Sequence, residues 1–260
     1  MTMSKTRRAL PYLFGGILIA MIWVVLWFLG LDDSLLLMAI FLPPFAALVS
    51  GIIGVAYFGQ EGFMREDRFH MMNLMMALGL VVFAIAETAT GVIGSSETSY
   101  LAIILMQLPG LLLVALGVAS YLRTVTEVLN YRNDKTIVGA IICIPFGFSV
   151  IAAAIMAIAV PGALTIEFLV NIMVTAGIGT LVLTLGLLVL VFRQGELAAP
   201  LGLAFAAMLL YLARNILWCC FSITPIEPLF QVLIVESYIL LGASILVARG
   251  LQDGKSGIAT

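Results

Sequence analysis

Charged residues are scarce in this sequence. Lys, Arg, Asp and Glu make up only 10% of its 260 residues, whereas hydrophobic residues make up 63%. A soluble domain carries about 25% charged residues, so the composition excludes an ordinary soluble protein. The net charge of −2, with the basic residues spread thinly along the chain, provides no patch for nucleic acid.

Missing residue types exclude several membrane chemistries. No Lys lies inside a hydrophobic run, which excludes a retinal Schiff base. The only His, His70, lies at the end of a run, so a pair of axial haem ligands is lacking. No run contains the Asp pair that intramembrane hydrolysis would use. These gaps argue against an enzyme, and a quinone site, which needs no haem, is the exception that stays open.

The sequence has few residues that could form disulfides or metal sites. The three Cys residues, Cys143, Cys219 and Cys220, lie within or at the end of hydrophobic runs, and the adjacent pair cannot easily bond to itself. His70 is followed by four Met residues at helical spacing, and thioethers with an imidazole can bind Cu(I). Met also fills gaps in packed interiors, which is the favoured interpretation. We predict no metal site, and the sequence identifies no cofactor.

Long apolar runs dominate what is present. A helix of about 20 apolar residues spans the hydrocarbon core of a bilayer, and no run shows the alternation of a barrel strand. The sequence therefore predicts an all-α, polytopic integral membrane bundle of eight transmembrane helices, with the lipid bilayer as its surroundings. The predicted spans are 10–31, 35–58, 71–93, 100–122, 137–160, 166–192, 201–222 and 229–249.

The basic residues sort to one side of these spans. Of the twelve Lys and Arg residues, eleven fall in alternate loops or termini, and the intervening loops contain only acidic charges such as Asp32, Asp33, Glu97 and Glu227. An excess of Lys and Arg marks the cytoplasmic face. We expect a cell-membrane protein with both termini cytoplasmic and a short cytoplasmic tail at 250–260.

A single membrane domain covers 1–260, and two interpretations of its organisation stay open. Runs three and seven both enter from the basic side and carry a charge at similar depth, Glu87 and Arg214. This similarity fits a 4+4 parallel repeat with halves 1–130 and 131–260. Shared apolar composition is the alternative explanation. The chain is also compatible with other membrane subunits or a homo-oligomer as partners.

Six polar residues inside the runs need explaining. At about 1.5 Å per helical residue they fall roughly 9–12 Å below the outer ends, at nearly one level. An unpaired Arg at mid-bilayer costs at least about 2.5–3.5 kcal/mol. We therefore predict that Arg214 pairs with Glu87 or Glu236 and that the amides satisfy the remaining donors and acceptors. The six residues are Glu87, Gln107, Asn171, Arg214, Asn215 and Glu236.

The polar set supports three functional interpretations. Polar residues inside spans usually serve function, which favours a small-solute or ion transporter or binding protein whose site, opening to the outside, is also lined by Tyr211, Trp218 and Tyr238. Glu236 and Tyr238 lie on different helix faces, so they cannot both point inward. The first alternative is an accessory or scaffold subunit in which a buried ion pair only sets helix register. The second is a haem-free, quinone-binding redox subunit.

Small residues and prolines recur inside the runs. Gly110 with Gly117, and Gly179 with Gly186, have the spacing of close helix packing. Prolines at positions 43, 44, 109 and 145 lie mid-run, where each removes a backbone donor and is expected to kink its helix. Packing is the favoured role for both groups.

Overall fold

The computed structural model describes residues 9–62, 67–93, 100–128, 135–159, 165–221 and 227–256. Over these ranges the chain forms eight α-helices and no strands, so the all-α prediction is confirmed. Each helix coincides with one predicted span. They are α1 (Leu10–Phe28), α2 (Asp32–Gly62), α3 (Arg68–Ile93), α4 (Tyr100–Val128), α5 (Lys135–Ala159), α6 (Ile166–Val191), α7 (Ala198–Phe221) and α8 (Glu227–Ser256).

Two helices continue well beyond their apolar runs. Helix α4 ends at Val128 rather than near 122, and α8 ends at Ser256 rather than near 249. In α4 the polar continuation supports a helix, since Arg123 Nε donates to Glu127 Oε1 one turn later at 2.9 Å. The predicted tail, 250–260, therefore begins as helix, and 257–260 lie outside the described residues.

A tight turn joins α1 to α2. Gly30 has a φ of 65°, which favours glycine, and its N–H donates to Trp27 O at 3.1 Å. Leu31 N donates to Leu26 O at 3.1 Å, completing a Schellman motif that caps α1. Asp32 opens the first turn of α2, where a negative charge favours the helix dipole. These signals place the start of α2 earlier than the apolar run alone indicated.

Helices α3 and α8 form the centre of the bundle. In each, 67% of the most apolar window is buried inside the protein. Helix α3 packs between α2 and α4, and α8 packs against α1, α2, α3 and α7. Helix α6 packs on α4, α5 and α7. The main core draws most of its buried residues from α2, α3, α4, α6, α7 and α8.

Helices α1 and α5 are peripheral and apolar on nearly all sides. Only 11% of the apolar window of α1 and 6% of that of α5 are buried, and Ile158 on α5 is 85% exposed. A water-soluble protein does not expose apolar faces of this extent. Within the described ranges, eight helices are long and apolar enough to cross a membrane. The architecture is compatible with a multi-pass membrane protein.

Polar contacts attach α1 to the rest of the bundle. Ser50 Oγ on α2 donates to Ala46 O at 2.7 Å and to Tyr238 O on α8 at 3.2 Å. Its oxygen also hydrogen-bonds Tyr12 OH on α1. Because carbonyl oxygens only accept, the Ser50 proton is committed to them and Tyr12 is the donor of that third bond. Tyr12 is thereby linked to α2 and, through Ser50, to the backbone of α8.

Three arginines of the loops and helix ends, Arg68, Arg123 and Arg249, lie at one end of the bundle. Arg68 and Arg123 line the same surface cavity. The guanidinium of Arg249 lies 5.8 Å from the ring centroid of Tyr57, near the end of α2. His70 Nε2 donates to the carbonyl oxygen of Phe58 at 2.9 Å, which brings the start of α3 to the same end of α2. Outside the described residues lie Lys5, Arg7, Arg8, Arg65 and Arg132.

Small residues lie at close helix contacts, as the spacing predicted. A Cβ atom added at Gly117 would lie 2.9 Å from Met75 Cβ, and one at Gly110 would lie 3.0 Å from the Phe83 ring, both on α3. Gly179 faces Pro145 on α5, and Gly186 faces the ring of Phe205 on α7. Helices α2, α4 and α5 remain helical through their internal prolines.

We predict that Gly54→Ala destabilises the bundle. Its added Cβ would lie 2.5 Å from Ala77 Cβ on α3, so the two helices must separate, at a cost of about 1–3 kcal/mol. The matched control is Gly147→Ala on α5, where nothing lies within 4 Å and the gain in helix propensity is about 0.5–1 kcal/mol. Thermal unfolding in detergent measures both. Equal melting temperatures for the two variants would contradict the close α2–α3 approach.

Candidate functional site

One face of α7 carries three polar residues into the bundle. Tyr211, Arg214 and Asn215 lie at positions i, i+3 and i+4, so they share a face, and all three are buried. The remaining buried polar partners come from α3, α4, α6 and α8. These helices are mainly apolar, so the carboxylate and amide side chains inside them are satisfied by polar groups on neighbouring helices.

Hydrogen bonds centred on one carboxylate connect four helices. Gln107 Nε2 on α4 donates to Glu87 Oε1 on α3 at 2.9 Å, and Tyr238 OH on α8 donates to the same oxygen at 2.8 Å. Tyr211 OH on α7 donates to Gln107 Oε1 at 3.0 Å. We call Glu87, Gln107, Tyr211 and Tyr238 the Glu87 cluster. Its hydrogen bonds fix the carboxylate and orient the Gln107 amide.

An aromatic group lies against this cluster. The ring centroid of Phe83 is 5.7 Å from that of Tyr211 and 5.5 Å from that of Tyr238, and the two tyrosine rings are 6.5 Å apart. Phe83 is fully buried one helical turn before Glu87. Sequence reasoning missed it because one Phe in an apolar run is unremarkable. Its i−4 spacing from Glu87 is the signal that would have found it.

A second polar group connects α6 and α7. Asn215 Nδ2 donates to Asn171 Oδ1 at 3.1 Å and to Thr175 Oγ1 at 2.5 Å, and Thr175 in turn donates to the carbonyl of Asn171 at 2.7 Å. The structure thus brings the two predicted asparagines together. Thr175 was not predicted, although its i+4 spacing from Asn171 places it on the same face.

Arg214 is the cation of the site. Its side chain is buried on the face of α7 that also carries Tyr211 and Asn215. Because Tyr211 links this helix to the Glu87 cluster, Glu87 stays the predicted partner of Arg214. Glu87, Gln107, Asn171, Arg214, Asn215 and Tyr238 form one polar region across α3, α4, α6, α7 and α8, with Tyr211 bridging to Gln107.

Glu236 lies apart from this region. It faces α1, where a Cβ added at Gly16 would lie 2.7 Å from Glu236 Oε2. Its Oε1 atom is buried and makes no hydrogen bond to any residue that the structure describes. Glu236 and Tyr238 are two residues apart and therefore project about 200° apart on the helix, as the sequence indicated. The glycine at position 16 is what gives the carboxylate room.

The other residues singled out from the sequence lie away from this polar region or outside the described residues. The side chain of Trp218 lies outside the described residues. His70 is buried with its ring 4.8 Å from that of Phe58, and Met72 and Met76 belong to the core, which supports the packing interpretation. In the described part of the chain, no three His, Cys, Asp or Glu side chains lie close enough together to hold a metal ion.

Two apolar clefts open sideways on either side of α6. One, of about 540 Å³, lies between α5, α6 and α7 and includes Gly186 and Phe205. The other, of about 320 Å³, lies between α4 and α6. Their described walls are mainly aliphatic, so they suit hydrocarbon chains rather than polar solutes.

Comparison of the chain with models of protein families, with curated proteins and with solved structures gives no match. The geometry of the polar region is therefore the basis for a functional proposal.

We predict that Arg214 is energetically coupled to Glu87 and not to Glu236. In a double-mutant cycle, Glu87→Gln and Arg214→Gln should show an interaction of about 0.5–3 kcal/mol, as neighbouring charged groups do. Glu236→Gln with Arg214→Gln is the matched control and should be additive within about 0.3–0.5 kcal/mol. Unfolding free energies in detergent give both values. Coupling to Glu236 alone would show that the wrong acid has been assigned.

The two tyrosines should differ in their effect on stability. Tyr238→Phe removes a hydrogen bond to a carboxylate, and we expect a loss between about 0.6 and 1.7 kcal/mol, the average and the maximum that double-mutant cycles give for hydrogen bonds in one well-studied membrane protein. Tyr211→Phe removes a bond to a neutral amide and should cost less, since bonds to charged acceptors are stronger. Thermal unfolding ranks the two variants, and the reverse ranking would contradict this assignment.

Proposed function

We propose that the chain is a multi-pass protein of the cell membrane with both termini in the cytoplasm. The apolar periphery of α1 and α5 supports insertion, because such faces are stable in lipid and not in water. The basic residues at one end of the bundle support the orientation, since Lys and Arg accumulate on the cytoplasmic side.

Within this membrane protein, the polar region is proposed to bind a small solute or an ion for transport. The observation that carries the proposal is the Glu87 carboxylate, inside an apolar bundle, with donors from two other helices. The buried Arg214 lies on the face of α7 that reaches this cluster through Tyr211. Ionisable groups inside membranes usually mark solute or ion pathways. Arg214 would bind an anionic group of the solute. Glu87 would neutralise Arg214 until the solute takes its place.

The placement of the site suits alternating access. Glu87 and Gln107 come from the first half of the chain, 1–130, and Tyr211, Arg214 and Tyr238 from the second half, 131–260. Transporters commonly place the substrate site between two such halves, which then move against each other. A solute that replaced Glu87 at Arg214 would release the hydrogen bonds that connect the halves. Binding and movement would thus involve the same contacts.

The second candidate is an accessory subunit in which the polar region is structural. The hydrogen bonding of Gln107 favours it, because both ends of this amide are already used within the bundle. The exposed faces of α1 and α5 would then contact other subunits. A quinone site has less support, since the described walls of the sideways clefts are mainly aliphatic.

Ligand-dependent stability of the full chain separates these functions. The wild-type protein, purified in mild detergent, is first examined by native mass spectrometry for retained small molecules, then melted with a panel of organic anions, amino acids and inorganic ions. A true ligand at 100 times its Kd stabilises by about 2.7 kcal/mol. We expect Arg214→Gln to lose this shift. Arg193→Gln, an exposed arginine following α6, is the matched control and should keep it.

Proteoliposome uptake of the stabilising compound then tests transport. Uptake by wild type and by Arg193→Gln, with loss in Arg214→Gln and Glu87→Gln, supports the proposal. If no compound shifts the melting temperature and the Arg214 variant only lowers stability, the polar region is structural. In that case, co-purification of other membrane proteins with the wild type supports the subunit alternative.

A further inference from the structure

A groove with two arginines lies at the basic end of the bundle, away from the Glu87 cluster. It has a volume of about 430 Å³. Arg68, at the start of α3, forms one wall, and one face of α4 forms the other. The α4 residues are Leu116, Ala119, Ser120, Arg123 and Thr124, with Glu127 at the polar end. We call this the Arg68–Arg123 groove.

The groove changes polarity along its length. From Leu116 to Glu127 the α4 face extends about 16 Å along the helix axis. Leu116 and Ala119 lie inside the apolar span, whereas Arg123 and Glu127 lie beyond the predicted end of that span at 122. An occupant therefore meets aliphatic side chains at one end and guanidinium groups at the other. A phospholipid has this division between acyl chain and headgroup.

The charges of the groove are available to an incoming anion. Within the described part of the chain, Arg123 pairs with Glu127, one turn away on its own helix, and the two side chains are 83% and 62% exposed. Exposed pairs of this kind are weak, so a phosphate can replace the carboxylate. The nearby Asp67 is engaged differently, because its Oδ1 accepts from Phe69 N at 2.9 Å at the start of α3. Arg123 is thus an exchangeable charge, and Arg68 supplies a second positive charge on the opposite wall of the groove.

We propose that the Arg68–Arg123 groove binds the headgroup phosphate of an anionic phospholipid, with the first part of an acyl chain over Leu116 and Ala119. The proposal rests on the membrane insertion and orientation given under the proposed function, and not on solute binding. Basic pockets between helices on the cytoplasmic side are a recognised type of anionic-lipid site. The cytoplasmic leaflet is also the one that carries anionic lipids.

Titration with soluble short-chain lipids tests this site. The full chain in an uncharged detergent is titrated with short-chain phosphatidylglycerol, and bound lipid is counted by native mass spectrometry. Parallel titrations use phosphatidylcholine of the same chain length and inorganic phosphate. We expect phosphatidylglycerol to bind more tightly than phosphatidylcholine. Arg68→Gln and Arg123→Gln should each weaken it about fivefold, the effect of one basic residue near an anionic lipid.

Two further variants distinguish a specific loss of lipid binding at the groove from a general loss of folding. Arg193→Gln removes an exposed arginine that does not line the groove, so binding should stay unchanged. Glu127→Gln removes the competing carboxylate, so binding should become tighter, a gain that misfolding cannot produce. Equal binding of the two lipids, equal losses in Arg123→Gln and Arg193→Gln, or no gain in Glu127→Gln would each overturn the proposal.

The titration with inorganic phosphate distinguishes a lipid headgroup from a free phosphate ion as the occupant of the groove. If millimolar phosphate displaces phosphatidylglycerol completely and binds as tightly, the groove is an anion site and the lipid assignment is wrong. None of these variants contacts the Glu87 cluster, and the readout is bound lipid. A failed transport assay therefore leaves this result intact, and a failed lipid titration leaves the transport proposal intact.

Discussion

The strongest constraint on this bundle is that the Glu87 carboxylate and the Asn215 amide find their partners on other helices. Glu87 hydrogen-bonds Gln107 and Tyr238, and Asn215 hydrogen-bonds Asn171 and Thr175, so these contacts also join helices. A charge left without such partners in an apolar interior would cost several kcal/mol. A few polar side chains therefore fix the relative positions of five helices, whichever function those side chains serve. The five helices are α3, α4, α6, α7 and α8.

The features that could be read from the sequence are those that depend on distance along a helix. Span length follows from rise per residue, so the helices and most of their ends were predictable. Depth follows in the same way, which is why Glu87, Gln107 and Arg214 were placed at one level and do lie in one region. The direction in which a side chain points around its helix axis depends on which helices are its neighbours. The sequence alone does not show which helices these are. Glu236 shares the predicted depth yet faces α1, and Phe83 enters the site from an apolar run.

Helix α6 lies between two apolar clefts. The two sideways clefts flank it, while Asn171 and Thr175 attach its N-terminal half to Asn215. Its neighbour α5 packs mainly on α6 and is otherwise exposed. The bundle thus combines a largely buried part around α3 and α8 with the mostly exposed α5 at its edge. The polar contacts of α7 connect it with α4 on one side and α6 on the other.

The packing of α1 has a consequence for how the protein is made. Helix α1 contacts α8 more than it contacts α2, through Gly16 opposite Glu236 and through Tyr12 beside Gly242. Translation proceeds from the N terminus, so α1 is complete long before the ribosome reaches Glu227. The contact between α1 and α8 can therefore form only after α8 has been made. Until then the Tyr12 side of α1 and the glycine at position 16 have no α8 to pack on.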